Sequence, residues 1–263
     1  MTACVLYAVA VLCLTAIWVY VGRNLSFAFL ANAMYFPTLL SLLFVDNYFT
    51  FISDILGIHE IPRAIVFSIV AIAAVYIIIY GCVALDVSLS WATRVKTSDG
   101  SGSAVHGHNS VLIMGFLRAA GEEIGWRCFM LPCLLSYYSP FVALFISGIV
   151  WGLFHVPVMI LLTLMLKVPK PHRTVLVQSI SCLLMAYPIG WIAIKSKYSL
   201  WACSTMHFVW NQINPRVLGS IYTQTPGIYH GEQWKINGEG LAGCFVLFPV
   251  ALLCLYDLHV ELF

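Results

Sequence analysis

Charged residues are scarce in this chain of 263 residues. Asp, Glu, Lys and Arg together make up 9% of the sequence, whereas a soluble globular domain carries roughly a quarter. Hydrophobic residues make up 61%, and the apolar bias extends along the whole chain instead of marking a single anchor. Water is therefore not the main solvent of this protein, and we predict one membrane-embedded domain over residues 1–263.

The sequence also lacks a strong charge imbalance and a recognisable cysteine framework. Because the net charge is only +2 and no basic run is interleaved with aromatic residues, nucleic acid is excluded as a partner. The nine cysteines contain no CxxC pair and lie mostly in apolar stretches, which predicts buried small hydrophobic residues and not disulfides or thiolate metal ligands. The first apolar stretch has no basic segment before it, so we interpret it as a span and not as a signal peptide.

What the chain does contain is a series of apolar segments that are each long enough to cross a bilayer. Such a crossing needs about 20 residues, and its backbone polar groups must be satisfied within a helix. We therefore predict an all-α fold, a polytopic transmembrane helix bundle of about eight spans. The spans are expected at about 4–22, 26–46, 62–87, 110–136, 139–166, 174–194, 198–214 and 239–259.

The connections between these spans predict the orientation of the chain. The richer set of basic residues should face the cytosol, which would place both termini in the lumen or outside the cell. The loops at 88–109 and 215–238 are rich in Gly or Ser and are predicted to be flexible surface segments. The expected membrane is either the endoplasmic reticulum or the plasma membrane. The richer set is Arg23, Arg94, Lys96, Lys167, Lys170, Arg173, Arg216 and Lys235, against Arg63, Lys195 and Lys197 on the other side.

The fourth predicted span contains a cluster of charged residues. Ionisable groups within a span are costly, so each is a candidate functional residue. Glu123 and Arg127 are four residues apart and are expected to pair along one face of a helix. Glu122 points about 100° away around the helix, which leaves it as a candidate general base. The alternative is that these charges only stabilise the end of a span.

Two further clusters lie in the fifth and seventh spans. His155 stands in an apolar span in which Gly148 and Gly152 would let a neighbouring helix approach closely. His207 and Asn211, four residues apart, share one face of a helix. Taken singly, each cluster has an ordinary structural explanation, a satisfied core histidine or an interhelical hydrogen bond.

Depth along the spans indicates that the three clusters can share one site. Glu122, His155 and His207 each lie roughly 7 to 12 residues from the basic-rich side, or about 10 to 18 Å at the rise of an α-helix. Such a site would open towards the cytosol.

Competing metal motifs are weaker. His59 and Glu60 begin an apparent HExxH, but Arg63 stands in the place of the second histidine and Pro62 would break the required helix. His106 and His108 in the Gly/Ser-rich loop lack a third ligand.

In this order, the three clusters resemble the CPBP family of intramembrane proteases, also called the CAAX protease and bacteriocin-processing, or Abi, family. The family pattern is EExxxR, then FxxxH, then HxxxN or HxxxD. Trp151 stands at the phenylalanine position of the second motif, an exchange that should preserve packing. The resemblance covers 121–211, is closest in wording to the prokaryotic-type branch, and extends to the architecture of type II CAAX prenyl endopeptidases. Glu122, Glu123 and Arg127 match the first motif, His155 the second, and His207 and Asn211 the third.

The resemblance implies a membrane endopeptidase with its catalytic core at 110–214. Glu122 and His155 would activate a water molecule that attacks the scissile carbonyl, and His207 and Asn211 would stabilise the oxyanion. Glu123 and Arg127 would support the site. The implied partners are membrane lipid and a membrane-associated or prenylated protein substrate, and C-terminal processing of prenylated CAAX proteins is one such activity.

Other interpretations of the same residues stay open at this point. One or two carboxylates and two histidines could form a three-ligand site for a divalent metal such as zinc. A catalytically silent family member would act as a membrane scaffold or regulator. A proton-coupled transporter of small solutes would also use buried Glu and His residues, although the sequence shows no internal repeat.

Overall fold

A computed structural model describes residues 1–57, 60–95 and 109–260, and these ranges are almost entirely helical. His59, His106 and His108 lie outside the described residues. Two 3₁₀ segments, Ala31–Tyr35 and Leu42–Phe44, flank α3, and a π-helical segment, Ile124–Met130, joins α6 to α7. The described α-helices are α1 (Thr2–Gly22), α2 (Phe27–Leu30), α3 (Phe36–Ser41), α4 (Tyr48–Leu56), α5 (Ile61–Ser88), α6 (Asn109–Glu123), α7 (Leu131–Leu135), α8 (Pro140–Met165), α9 (Pro171–Lys195), α10 (Leu200–Leu218) and α11 (Leu241–Val260).

Six helical segments in the described ranges are long and apolar enough to cross a membrane. The predicted all-α polytopic bundle is therefore confirmed. The fourth and seventh predicted spans are also helical, as α6 to α7 and as α10. They lie outside this set because α6 has only 15 residues and α10 contains many polar ones, so the number of eight spans stays a prediction. The six are Thr2–Gly22, Phe27–Phe44, Ile61–Ser88, Pro140–Met165, Pro171–Lys195 and Leu241–Val260.

Large apolar side chains remain exposed around the bundle. Leu43, Ile77, Leu253 and Tyr256 each keep two thirds or more of their surface accessible, at 72%, 70%, 68% and 70%. Contiguous exposure of this kind is unfavourable in water, whereas hydrocarbon accepts it without cost. The outer faces of the helices are thus suited to lipid, and the inner faces form the core.

The core is organised by close helix pairs, of which α8 with α9 is the most extensive. Gly148 and Gly152 form the contact face of α8. A methyl group added at Gly148 would lie 2.8 Å from the carbonyl oxygen of Leu183, and one at Gly152 would lie 3.0 Å from that of Ser179. The predicted close approach of a neighbouring helix at these glycines is confirmed, and it places α9 directly beside His155.

The segment predicted as a flexible loop at 215–238 is instead packed against the bundle. Its first residues belong to α10, and we call residues 219–240 the cover loop. Asn214 Nδ2 donates to Asn237 Oδ1 at 2.7 Å, and Asn237 Nδ2 donates to the carbonyl oxygen of Gly219 at 2.6 Å. These buried amides satisfy one another and the loop backbone, which is why the loop closes inward. Its strand β2 (Tyr229–Gly231) pairs antiparallel with β1 (Ala92–Arg94).

An ion pair attaches the outer part of the cover loop to the start of α9. Lys170 Nζ lies 2.9 Å from Glu232 Oε2. Hydrogen bonds from Lys235, Lys170 and Trp234 lower the pKa of the Glu232 carboxyl to about 2. The ionised Glu232 therefore stabilises the folded cover loop. This contribution is complete above the ordinary pKa of glutamate, about 4.3, and it is lost as the pH falls through the folded-state pKa of about 2.

The expectation that the cysteines are only small hydrophobic residues is wrong for two of them. Cys4 and Cys133 form a disulfide with their Cα atoms 6.2 Å apart, across a sequence separation of 129. The bond joins the beginning of α1 to α7. Spacing within an apolar stretch does not reveal such a pair, because the two helix ends meet only after the bundle has packed.

Gly125 occupies the tightest point between the π-helical segment and α3. A methyl group there would overlap the hydroxyl of Tyr7 and the backbone and ring of Pro37. We expect Gly125→Ala to lower the stability by about 1–3 kcal/mol, because α1 or α3 must shift. Gly81→Ala is the matched control, since its methyl group would meet only the side chain of Val246 at 3.3 Å. The melting temperature in detergent measures both, and equal values for the two variants would contradict this packing.

Candidate functional site

The two adjacent glutamates lie where α6 gives way to the π-helical segment. Glu122, Glu123 and Arg127 are all buried, with 1%, 0% and 1% of their surfaces accessible. Arg127 Nη1 donates to Glu123 Oε1 at 3.2 Å, which confirms the predicted pairing of these residues. A π-helical turn within an α-helix is rare and is frequently found at functional sites.

Glu122 is held by two neutral indole groups. Trp126 Nε1 donates to Glu122 Oε2 at 3.2 Å, and Trp151 Nε1 donates to the same oxygen at 2.9 Å. The described part of the chain provides no hydrogen bond to Oε1 of this carboxylate. Glu122 is thus fixed through one oxygen, and the other is available to a water molecule or a substrate.

Trp151 stands where the second family motif has phenylalanine, and its side chain forms polar contacts that a phenylalanine could not form. Besides donating to Glu122, its ring lies 4.2 Å below the guanidinium carbon of Arg127. The sequence-based expectation was therefore incomplete, because it compared aromatic side chains by size alone. The missed signal was the indole N–H, which needs an acceptor when it is buried in an apolar span.

The hydrogen-bond partners of the two histidines indicate where their protons lie. His155 Nδ1 is 2.8 Å from the carbonyl oxygen of Trp151, and His207 Nδ1 is 2.7 Å from Glu123 Oε1. Both partners are acceptors, so each Nδ1 carries a proton. In the neutral ring Nε2 is then an acceptor, and only a doubly protonated ring donates from Nε2 as well.

One cavity of about 350 Å³ brings the predicted catalytic residues together. Its lining includes Glu122, His155, His207 and Asn211. Glu123 and Arg127 do not line it, and they are connected to the cavity wall through His207 and Trp151. Much of the remaining lining is apolar and comes from α1, α2 and the 3₁₀ segment that follows, namely Val19, Phe27, Leu30, Ala31, Ala33 and Met34.

Sequence reasoning missed a second polar group on the same cavity. Glu239, at the end of the cover loop, accepts hydrogen bonds from Trp210 Nε1 and Gln178 Nε2, each at 3.2 Å. Gln178 Nε2 also donates to the hydroxyl of Tyr222 at 2.6 Å. The available signal was a carboxylate at the very edge of the eighth predicted span. It was overlooked because the preceding loop was interpreted as surface.

Arg118, one turn before Glu122 on α6, also lines the cavity and was not among the predicted site residues. The sequence signal was a cation in the middle of a predicted span.

The arrangement does not fit a three-ligand metal site. Within 1–57, 60–95 and 109–260, no three His, Cys, Asp or Glu side chains are placed to share a metal ion. The Nδ1 atoms of His155 and His207 bond to protein oxygens, which leaves Nε2 of each ring available to a reactant, and Glu122 is oriented by indoles. These groups are suited to acid–base chemistry and hydrogen bonding.

Comparison with known proteins agrees with the geometry. Residues 105–213 match the model of the family described as type II CAAX prenyl endopeptidase Rce1-like, and all three motifs fall within this range. A protein of Methanococcus maripaludis named CAAX prenyl protease 2 is 32% identical over 110 residues, and this match spans 38% of each chain. The chain thus covers well under half the length of that relative. The predicted resemblance to the CPBP family is therefore supported by both matches, and over residues 105–213 the chain is similar to type II CAAX prenyl endopeptidases of the Rce1-like family.

Proposed function

We propose that this chain is an intramembrane endopeptidase in which Glu122 activates a water molecule, and that it processes the C-termini of prenylated CAAX proteins. The observation that carries the proposal is the orientation of Glu122. Two indole donors hold one of its oxygens, and the residue lines a cavity together with His155, His207 and Asn211. The name of the Methanococcus relative supplies the substrate class.

The first step is attack by water on the scissile carbonyl. A water molecule between Glu122 and His155 loses a proton to the free oxygen of Glu122 and donates its second hydrogen bond to Nε2 of His155. Its oxygen forms a bond to the carbonyl carbon, and the carbonyl oxygen takes the negative charge. When the C–N bond breaks, the proton held by Glu122 passes to the departing amine, which restores the carboxylate.

The negative charge on the carbonyl oxygen needs donors that are already in place. The side-chain amide of Asn211 is one. His207 is the second, and because its Nδ1 proton is used by Glu123, it donates from Nε2 only as an imidazolium. Glu123 supports that charged ring at 2.7 Å, and Arg127 orients Glu123 from the other side at 3.2 Å.

The apolar wall of the cavity suits a lipid-modified substrate. Side chains of α1, α2 and the following 3₁₀ segment line this wall, and the outer faces of these helices are themselves exposed and apolar. A prenyl chain attached to the cysteine of a CAAX terminus would gain about 0.8 kcal/mol for each methylene group that it buries there. The wall thus offers a place for the prenyl group beside the reacting bond.

Replacement of the proposed base or its partner should remove the activity. We expect Glu122→Gln and His155→Ala to lower kcat on a prenylated C-terminal peptide by about 10²- to 10⁴-fold, because proton transfer at the water molecule is lost. Glu232→Gln is the matched control, since Glu232 is on the outer part of the cover loop and not in the cavity. Product release from the peptide in detergent gives the rates. Cleavage at the unmodified rate by both cavity variants would overturn the mechanism and favour a scaffold or transport role.

The indole of Trp151 is proposed to be a positioning group for Glu122. Trp151→Phe keeps an aromatic ring but removes the donor 2.9 Å from Glu122, so we expect kcat to fall about tenfold or more while KM changes little. Trp201→Phe is the control, since Trp201 is exposed and donates to the carbonyl oxygen of Leu56. Rates and melting temperatures are measured for both variants. An unaltered kcat in Trp151→Phe would contradict the positioning role and show that Trp151 contributes only packing.

The disulfide supports the proposed orientation, in which the site opens to the cytosol. Disulfides persist in the lumen of the endoplasmic reticulum and outside the cell and are rare in the cytosol. The bond between Cys4 and Cys133 lies at the beginning of α1, and it supports an N-terminus on the side for which the basic loops also predict the lumen or exterior.

An N-terminal epitope should accordingly be protected from added protease in sealed vesicles whose cytosolic face is outward, and it should become accessible when detergent opens them. In the same vesicles, maleimide labelling of Cys4 should require reduction, whereas Cys133→Ser should free Cys4 once the membrane is opened. Digestion of the epitope in intact vesicles would contradict this orientation and indicate that the N-terminus faces the cytosol.

A further inference from the structure

Arg118 presents a cationic group to the cavity without a carboxylate partner. It lies on α6 one turn before Glu122, and its Nε atom is buried with no hydrogen bond within the described ranges. Among the described residues that line the cavity, it alone is Lys or Arg. The residue as a whole is half-buried, and a guanidinium within a predicted membrane span is costly unless it faces a partner or a cavity.

The carboxylates nearest the cavity are oriented by other groups, and none of them forms an ion pair with Arg118 in the described ranges. Glu122 accepts from two indoles, and Glu123 pairs with Arg127 and His207. Glu239 accepts from Trp210 and Gln178. Arg118 can therefore bind an anion that enters the cavity from outside the protein. A guanidinium binds a carboxylate through two parallel hydrogen bonds, which gives this pairing both strength and a fixed geometry.

We infer that Arg118 binds the free C-terminal carboxylate of the substrate and so sets the distance between the chain end and the bond that is cut. The inference rests on the proposed function and adds a specificity-determining residue to it. In a CAAX terminus three residues follow the prenylated cysteine, and they span at most about 11 Å when extended.

The placement of Arg118 on α6 matches that length. One helical turn separates it from Glu122 by about 6 Å along the axis, and the flexible arginine side chain covers the rest. Arg118 also precedes Glu122 on α6, which puts it nearer to the side for which the sequence predicts the basic loops, so a bound carboxylate would stay nearest to water. The apolar wall then remains free for the prenyl group.

The inference is tested with two prenylated peptides that differ only at their C-terminus. One ends in a free carboxylate, the acid, and the other in a carboxamide, the amide. We expect the unmodified protein to cleave the acid with a kcat/KM about 10- to 100-fold higher than that of the amide, mainly through KM. Arg118→Gln should bring the ratio close to one, and Arg118→Lys should give an intermediate ratio because it keeps the charge without the planar fork. Arg216→Gln is the matched control, since Arg216 is exposed and bonded to Gln212, and it should keep the original ratio. A ratio of one in the unmodified protein, or an unchanged ratio in Arg118→Gln, would overturn the inference.

A binding measurement separates this inference from the proposed function. The affinities of the two fluorescent peptides are measured by anisotropy for Glu122→Gln, with and without Arg118→Gln, in nanodiscs of zwitterionic lipid and of lipid with added phosphatidylglycerol. A preference for the acid that Arg118→Gln removes in both lipids supports the carboxylate site, even if the unmodified protein cleaves neither peptide and the proposed hydrolysis fails. Equal affinities for the acid and the amide overturn it. An effect of Arg118→Gln that follows the phosphatidylglycerol content and not the peptide terminus assigns Arg118 to a lipid headgroup instead.

Discussion

Every charge inside this apolar bundle needs a partner of opposite charge or a well-directed donor, and the site is built around that requirement. Glu123 satisfies it by pairing with Arg127 at 3.2 Å and by accepting a hydrogen bond from Nδ1 of His207 at 2.7 Å. Removing one member of such a buried group would leave an uncompensated charge and cost several kcal/mol. The cluster therefore ties α6 and its π-helical continuation to α10, and it fixes the height at which these elements cross.

The neighbouring carboxylate, Glu122, has neutral hydrogen-bond donors instead of ion-pair partners, and this difference leaves it available for chemistry. Glu122 receives hydrogen bonds from the neutral indoles of Trp126 and Trp151, which orient it without placing a positive charge beside it. One glutamate thus belongs to the structural cluster, while the other keeps an oxygen available to a reactant. The π-helical segment at 124–130 follows directly, and the absence of a side chain at Gly125 lets α1 and α3 close against it.

The cover loop completes the cavity from a part of the chain outside the three motifs. The buried amides of Asn214 on α10 and Asn237 in the loop bond to each other and turn the loop backbone inward, and Glu239 and Tyr222 reach the cavity as a result. The cavity is consequently polar where these side chains and the motif residues meet and apolar towards α1 and α2. A substrate with a lipid chain and a hydrophilic terminus matches this division, which is why the site, the apolar wall and Arg118 are interpreted together.

The sequence by itself determined whatever depends on composition or on spacing within one helix. Scarce charge and long apolar runs established the helical membrane bundle, and separations of four residues established the pair of Glu123 with Arg127 and the glycine face of α8. The order of the three motifs predicted the resemblance to the CPBP family. Tertiary structure alone decided which partners meet across the bundle: Trp151 with Glu122 over 29 positions, His207 with Glu123 over 84, and Cys4 with Cys133 over 129. Helical periodicity fixes the position of a side chain on its own helix, whereas the facing helix, its rotation and its depth follow only from packing the whole chain.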